Sequence, residues 1–159
     1  MKGLKQLPIS KLMNIIGTLG NDALIGTDDS DILRGLGGRD TLIGGKGNDT
    51  LVGGADGDLL TGGEGRDQFI FNSFSERTDV VTDFNVNEDT LVLTKTMATL
   101  NYNGVNPIAD GYMQFVQQGS STAVQVDSDG INGASPFMSL VVLENVTAGN
   151  LIVGNNVMI

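Results

Sequence analysis

Neither cysteine nor histidine occurs among the 159 residues of this chain. Thiol catalysis, disulfide stapling, Cys/His zinc sites and Ser-His-Asp triads are therefore excluded. Positive charge is scarce as well: nine basic residues face nineteen acidic ones, giving a net charge of −10 and a pI near 4.1. That balance disfavours nucleic acid and anionic lipid as partners and attracts cations instead. No apolar run approaches the roughly 20 residues of a membrane span, so no stable membrane insertion is expected. The first sixteen residues carry three lysines but no continuous apolar stretch, which is not the pattern of a Sec signal. Lack of cysteine is compatible with an extracellular protein held together by metal rather than by disulfides.

What is abundant is glycine together with aspartate. There are 23 glycines, and fifteen of the nineteen acidic residues are Asp. Both residue types are poor in helices and strong in turns. Their distribution divides the chain into three parts. Residues 1–16 are mixed and mildly basic, and residues 17–70 hold 15 glycines and nine aspartates. Residues 71–159 hold both tyrosines, five of the six phenylalanines and many short β-type runs.

The middle part is an internal repeat with a period of nine. Its blocks are GTLGNDALI (17–25), GTDDSDILR (26–34), GLGGRDTLI (35–43), GGKGNDTLV (44–52), GGADGDLLT (53–61) and GGEGRDQFI (62–70). Position one is always Gly. Position six is always Asp: Asp22, Asp31, Asp40, Asp49, Asp58 and Asp67. Position eight is always large and apolar: Leu24, Leu33, Leu42, Leu51, Leu60 and Phe69. A flexible Gly/Asp linker would match the composition, but it has no reason to keep Asp and Leu in fixed register six times.

Three residues around position eight predict a short strand with its middle side chain inward, and six glycine-rich residues then reverse the chain. Two units make a flattened coil of 18 residues per turn, with parallel strands stacked at about 4.8 Å. Leu24, Leu42 and Leu60 stack in one sheet, and Leu33, Leu51 and Phe69 in the facing one. Six such side chains, worth roughly 1.5–3 kcal/mol each, make a thin core. The loops add a penalty. Stacking places Asp22, Asp40 and Asp58 in one column and Asp31, Asp49 and Asp67 in the other, with neighbouring carboxylates about 5 Å apart and repelling by roughly 1–3 kcal/mol per pair. A hard divalent cation converts that repulsion into attraction. Six or more oxygens from carboxylates and inward-turned carbonyls suit Ca²⁺, whereas Mg²⁺ demands a tighter octahedron and holds its water.

The pattern G-G-x-G-x-D-x-(apolar)-x resembles the RTX nonapeptide, a calcium-binding parallel β-helix repeat. GGKGNDTLV and GGEGRDQFI match it fully. GTLGNDALI and GTDDSDILR depart at position two, and Asp29 and Asp56 replace Gly at position four. Asp tolerates the left-handed conformation better than most residues, so those loops are expected to persist with weaker sites. Beyond the repeats, the run from Phe69 through Asp79-Val80-Val81-Thr82-Asp83-Phe84 to Asp89-Thr90-Leu91-Val92-Leu93 resembles the segment that closes the roll in RTX proteins. The resemblance implies Asp79, Asp83 and Asp89 as ligands of a capping calcium; ordinary acidic turns between strands are the alternative.

Residues 111–116, 122–127 and 137–143 read as strands. Asp127 to Gly133 joins the last two and has some of the spacing of a calcium loop, although it lacks the distal Glu of an EF-hand; an Asp-Gly hairpin turn is the simpler account. The order of these segments, with Leu143-Glu144-Asn145-Val146-Thr147 and an apolar tail, resembles the C-terminal module of large RTX adhesins exported by type I secretion. That resemblance implies an uncleaved export signal near Leu151–Ile159; one more strand is the plainer reading of the same residues. Leu4, Leu7, Ile9, Leu12, Met13 and Ile15 suit a short element covering the open end of the roll, or a strand left from a preceding domain.

The expected fold is thus all-β: an N-terminal cap or linker (1–16), a calcium-binding parallel β-roll or β-helix (17–70) and a C-terminal β-rich capping and secretion module (71–159). The expected function is a non-enzymatic, monomeric, calcium-folded module of an extracellular or cell-surface RTX adhesin, exported unfolded by a type I ABC exporter. The alternative is the RTX tail of a secreted protease or lipase, with its chemistry upstream.

Overall fold

Every nine residues the chain lays down one short strand and turns back. A computed structural model describes residues 11–73, 78–130 and 133–159. Strands β1 (Asn14–Ile16), β2 (Ala23–Ile25), β3 (Ile32–Gly37), β4 (Thr41–Lys46), β5 (Thr50–Ala55), β6 (Leu59–Glu64) and β7 (Gln68–Ile70) fall alternately on two facing sheets. Each pairs in parallel with the strand two further on, one full turn away: Leu24 lies beside Leu42 and Leu42 beside Leu60, while Leu33 lies beside Leu51 and Leu51 beside Phe69. The predicted turn of 18 residues is the observed one. All six position-eight side chains are buried, and their strand neighbours are more exposed, as the period-two alternation of a strand requires.

Strand length differs from expectation. In the middle of the roll strands have six residues, not three, because the ladder continues through positions one to three of the next block. Gly45 stacks on Gly63 and Leu36 on Gly54, one turn apart. Glycine at most of these positions lets one backbone approach the next closely, and the hydrogen-bonded ladder runs on.

The coil also extends beyond the repeats at both ends. β1 joins the sheet in register, with Ile15 beside Leu33, so residues 14–16 act as part of a half-turn that has neither the Gly nor the Asp of the pattern. The expected contributions of Leu4, Leu7 and Ile9 lie outside the described residues. After residue 70, β8 (Asp79–Val81) and β9 (Thr90–Val92) continue the two sheets, with Val81 beside Leu60 and Leu91 beside Phe69. The boundary drawn at residue 70 is therefore not a break in the sheets. A short helix α1 (Thr94–Thr99) follows, then β10 (Met113–Gln118), β11 (Ser121–Val126), β12 (Met138–Leu143) and β13 (Val157–Met158).

β10, β11 and β12 form an antiparallel meander that attaches to the roll where β12 runs parallel to β8. Gly119 and Ser120 make the two-residue turn between β10 and β11, and Gly119 takes φ +64°, as such hairpins need. β11 and β12 are antiparallel neighbours but are joined by residues 127–137 rather than by a tight turn. The Asp129 carboxylate closes part of that connection, accepting the N–H groups of Ala134 and Ser135; Ile131 and Asn132 lie outside the described residues. The apolar tail supplies β13, which pairs with β9. Among the described residues no helix is long and apolar enough to cross a membrane.

Candidate metal centre

Position six of each block sits where the loop ends and the next strand begins, so successive aspartates line up along the edge of the roll. Each column is knitted by its own backbone. The N–H of Asp22 donates to Asp40 Oδ1 at 2.8 Å, that of Asp40 to Asp58 Oδ1 at 2.8 Å and that of Asp58 to Asp79 Oδ1 at 2.8 Å. On the other side Asp31 donates to Asp49 Oδ1 at 2.7 Å, Asp49 to Asp67 Oδ1 at 2.8 Å and Asp67 to Asp89 Oδ1 at 2.9 Å. Asp79 and Asp89 thus extend the two columns by one member each, a role that their spacings of 21 and 22 residues conceal in the sequence. Asp83 stands apart from both. Its two oxygens accept the N–H groups of Gly62 and Gly63 at 2.9 and 2.8 Å, which ends the ladder of the last repeat.

One oxygen of each central aspartate has no protein partner. Asp40, Asp49, Asp58 and Asp67 are at most 3% exposed, and in all four Oδ2 is buried with no hydrogen bond. Orphaned buried carboxylate oxygens are rare and costly, and a bound ion is one of the few arrangements that satisfies them. The surroundings fit a hard cation. A Cβ placed on Gly35 would fall against Asp40 Oδ2 and the Gly53 carbonyl, and one on Gly44 against Asp49 Oδ2 and the Gly62 carbonyl. Glycine at position one therefore keeps open a space lined by a carboxylate oxygen of one turn and a backbone carbonyl of the next. Among the described residues no three acidic side chains converge on one point. Carboxylate and backbone carbonyl oxygens are the hard donors that this space offers, of the kind that Ca²⁺ accepts.

Burial is the main reason why these carboxyls ionise less readily than free ones. It raises Asp40, Asp49 and Asp89 above the usual carboxylate value and lifts Asp58 and Asp67 to about 6, with the neighbouring aspartates adding to the rise and the backbone N–H donors opposing it. The sign of the linkage follows. A carboxyl whose folded value is raised favours the folded state while it is protonated, and that contribution is lost as pH rises from about 4 through about 6. In EDTA the chain is expected to show more β-structure at pH 4.5 than at pH 7.5. Circular dichroism at the two pH values decides this, and a flat or inverted dependence counts against it.

The RTX calcium-binding nonapeptide repeat family matches residues 16–51 and 34–69. Among solved structures, the chain is similar to the AlgE6R3 subunit of the mannuronan C5-epimerase of Azotobacter vinelandii, at 28% identity and a TM-score of 0.64 over 99% of this chain and 85% of that one. It is likewise similar to the AlgE6R2 subunit of the same organism's mannuronan C5-epimerase, at 30% identity and a TM-score of 0.68 over 91% of each chain. No curated protein matches the chain at a significant level.

Proposed function

Because this chain belongs to the family of RTX calcium-binding nonapeptide-repeat proteins, we propose that it is a calcium-folded module of a larger extracellular protein, exported unfolded through a type I ABC exporter. The observation that carries this reading is the set of four buried Oδ2 atoms without partners, on Asp40, Asp49, Asp58 and Asp67. Metal that binds only the folded chain stabilises it by mass action. At low cytosolic calcium the aspartate columns repel and the chain stays threadable. Extracellular calcium, at the millimolar level that modules of this kind bind, then closes the loops. When bound, calcium supplies positive charge and oxygen coordination to the loops. The chain's own residues supply the parallel sheets and the carboxylate oxygens. On this reading the module is monomeric, lies outside the cell or on its surface, and catalyses nothing itself.

The parent protein is an adhesin on the strength of the C-terminal order of segments, which resembles that of RTX adhesins. A second reading has a specific observation behind it: both similar structures are subunits of an enzyme, a mannuronan C5-epimerase. The module would then be the repeat portion of a secreted enzyme, with the reaction carried out elsewhere in the parent. A protease or lipase parent is the same reading with different chemistry.

Export tests the proposal directly. Deleting the residues after Asn145 is expected to abolish secretion from a strain carrying a matching exporter, whereas deleting residues 1–16 is expected to leave it intact. Normal secretion of the tail-less chain removes the export half of the proposal.

A further inference from the structure

Six loops share one sequence pattern but adopt two conformations. In four of them the backbone turns left-handed at positions two and four: Leu36 and Gly38, Gly45 and Gly47, Gly54 and Asp56, and Gly63 and Gly65 all have φ between +72° and +140°. These are the loops of Asp40, Asp49, Asp58 and Asp67, whose Oδ2 atoms lack partners. In the first two blocks neither Thr18 and Gly20 nor Thr27 and Asp29 has positive φ. There the threonine folds onto its own aspartate. Thr27 donates to Asp31 Oδ2 from its N–H at 2.6 Å and from Oγ1 at 2.8 Å, and Thr18 does the same to Asp22 Oδ2 at 2.6 and 2.9 Å.

Asp31 and Asp49 form a controlled pair. They sit one turn apart in the same column, and each is 1% exposed. The Oδ1 of Asp31 accepts Met13 N–H at 2.9 Å, and that of Asp49 accepts Asp31 N–H at 2.7 Å. Only Oδ2 differs: on Asp31 it has two donors, and on Asp49 it has none. Threonine is β-branched and resists the left-handed region, so its N–H stays turned toward the carboxylate. Leu36 accepts the strained conformation at φ +82° and has no side-chain donor to offer Asp40. The far end of the column repeats the closed design with another residue. Asn85, four residues before Asp89, donates its N–H to Asp89 Oδ2 at 2.8 Å.

We infer that position two decides which loops take calcium: Thr18 and Thr27 give Asp22 and Asp31 the partners that an ion gives the four central aspartates, so the first two loops close without metal. The inference rests on the calcium reading above and refines it. The family pattern assigns a calcium loop to every block, whereas the geometry assigns ions only to the loops of Asp40, Asp49, Asp58 and Asp67.

Calcium bound per chain, counted by atomic emission after equilibrium dialysis in millimolar Ca²⁺, tests this on the full chain. Thr27→Gly opens the second loop as Gly45 opens the fourth, and is expected to bind one ion more than the unaltered chain. Thr27→Ser keeps the hydroxyl and is expected to leave the count unchanged. An unchanged count for Thr27→Gly in a chain that still folds overturns the inference, as does an unaltered chain that binds six ions in the repeats. Should Thr27→Gly fail to fold, the ion counts of Asp31→Asn and Asp49→Asn decide, since Asn keeps the Oδ1 that accepts the Met13 and Asp31 N–H groups. Asp31→Asn is expected to leave the count unchanged and Asp49→Asn to lower it by one; an equal loss in both overturns the inference. No binding to the unaltered chain at all would discard the calcium reading itself.

Discussion

In EDTA at neutral pH the β-signal of residues 17–70 is expected to be largely lost, and millimolar Ca²⁺ is expected to restore it where equal Mg²⁺ does far less. The reason is in the balance of the roll. Its repeat core is one side chain per nine residues, and its edges carry rows of buried carboxylates that face each other across about one strand spacing. Charging those rows without a counterion costs roughly 1–3 kcal/mol per neighbouring pair. An ion present at ten times its dissociation constant contributes about 1.4 kcal/mol per site, so four sites contribute about 6 kcal/mol, which is as much as the whole stability of many small domains. The discrimination against Mg²⁺ follows from its demand for a near-ideal octahedron at about 2.0–2.1 Å and its reluctance to lose water, whereas Ca²⁺ accepts a wider and less regular set of oxygens. Circular dichroism of one sample taken through EDTA, Ca²⁺ and Mg²⁺ settles the matter. The same spectrum in EDTA and Ca²⁺ would discard a metal-held roll.

The second large effect concerns place within a column. Asp49→Ala removes two things at once: the acceptor for the buried N–H of Asp31, and the orphaned oxygen that faces the fourth loop. The stranded N–H alone costs about 1–3 kcal/mol, and on the calcium reading proposed above the lost carboxylate takes a calcium ligand with it. Asp40→Ala does the same to the N–H of Asp22 and to the third loop. Asp22 is half-buried at the end of its column, and its Oδ2 is already held by Thr18. Asp22→Ala is expected to cost under about 1 kcal/mol, in the range of a lost end cap. The calcium midpoint for folding should therefore rise several-fold for Asp49→Ala and Asp40→Ala and barely for Asp22→Ala. Equal shifts in all three would mean independent loops, each with its own ion.

The repeat was legible because its residues do one job six times: Leu51 and its counterparts must point inward, Asp49 and its counterparts must end a loop, and neither can slip by one residue without turning to the wrong face. What stayed hidden obeys the same geometry with different spacing or different residues. Asp79 and Asp89 complete the columns at intervals of 21 and 22, so no count of nines reaches them. Ile15 fills an inner position in a half-turn with Met13 where the aspartate would be. Helix α1 has neither a side-chain cap nor an acidic first turn to announce it, and it is held instead by Thr96, whose hydroxyl donates to the Phe71 carbonyl at 2.7 Å. The closing role of Thr27 had a signal that could have been read: a β-branched donor four residues before the aspartate, at a position where the open loop needs positive φ.

Because successive blocks alternate between two sheets, the roll has a parity. Inserting or deleting 18 residues adds or removes one storey and leaves everything downstream on its own side. A change of nine residues reverses sides: β8, which carries the antiparallel meander through β12, would be delivered to the sheet where β9 now receives the tail strand. Chains of this architecture can therefore lengthen smoothly only in pairs of blocks, and an odd block number obliges the C-terminal half to be rebuilt in mirror position.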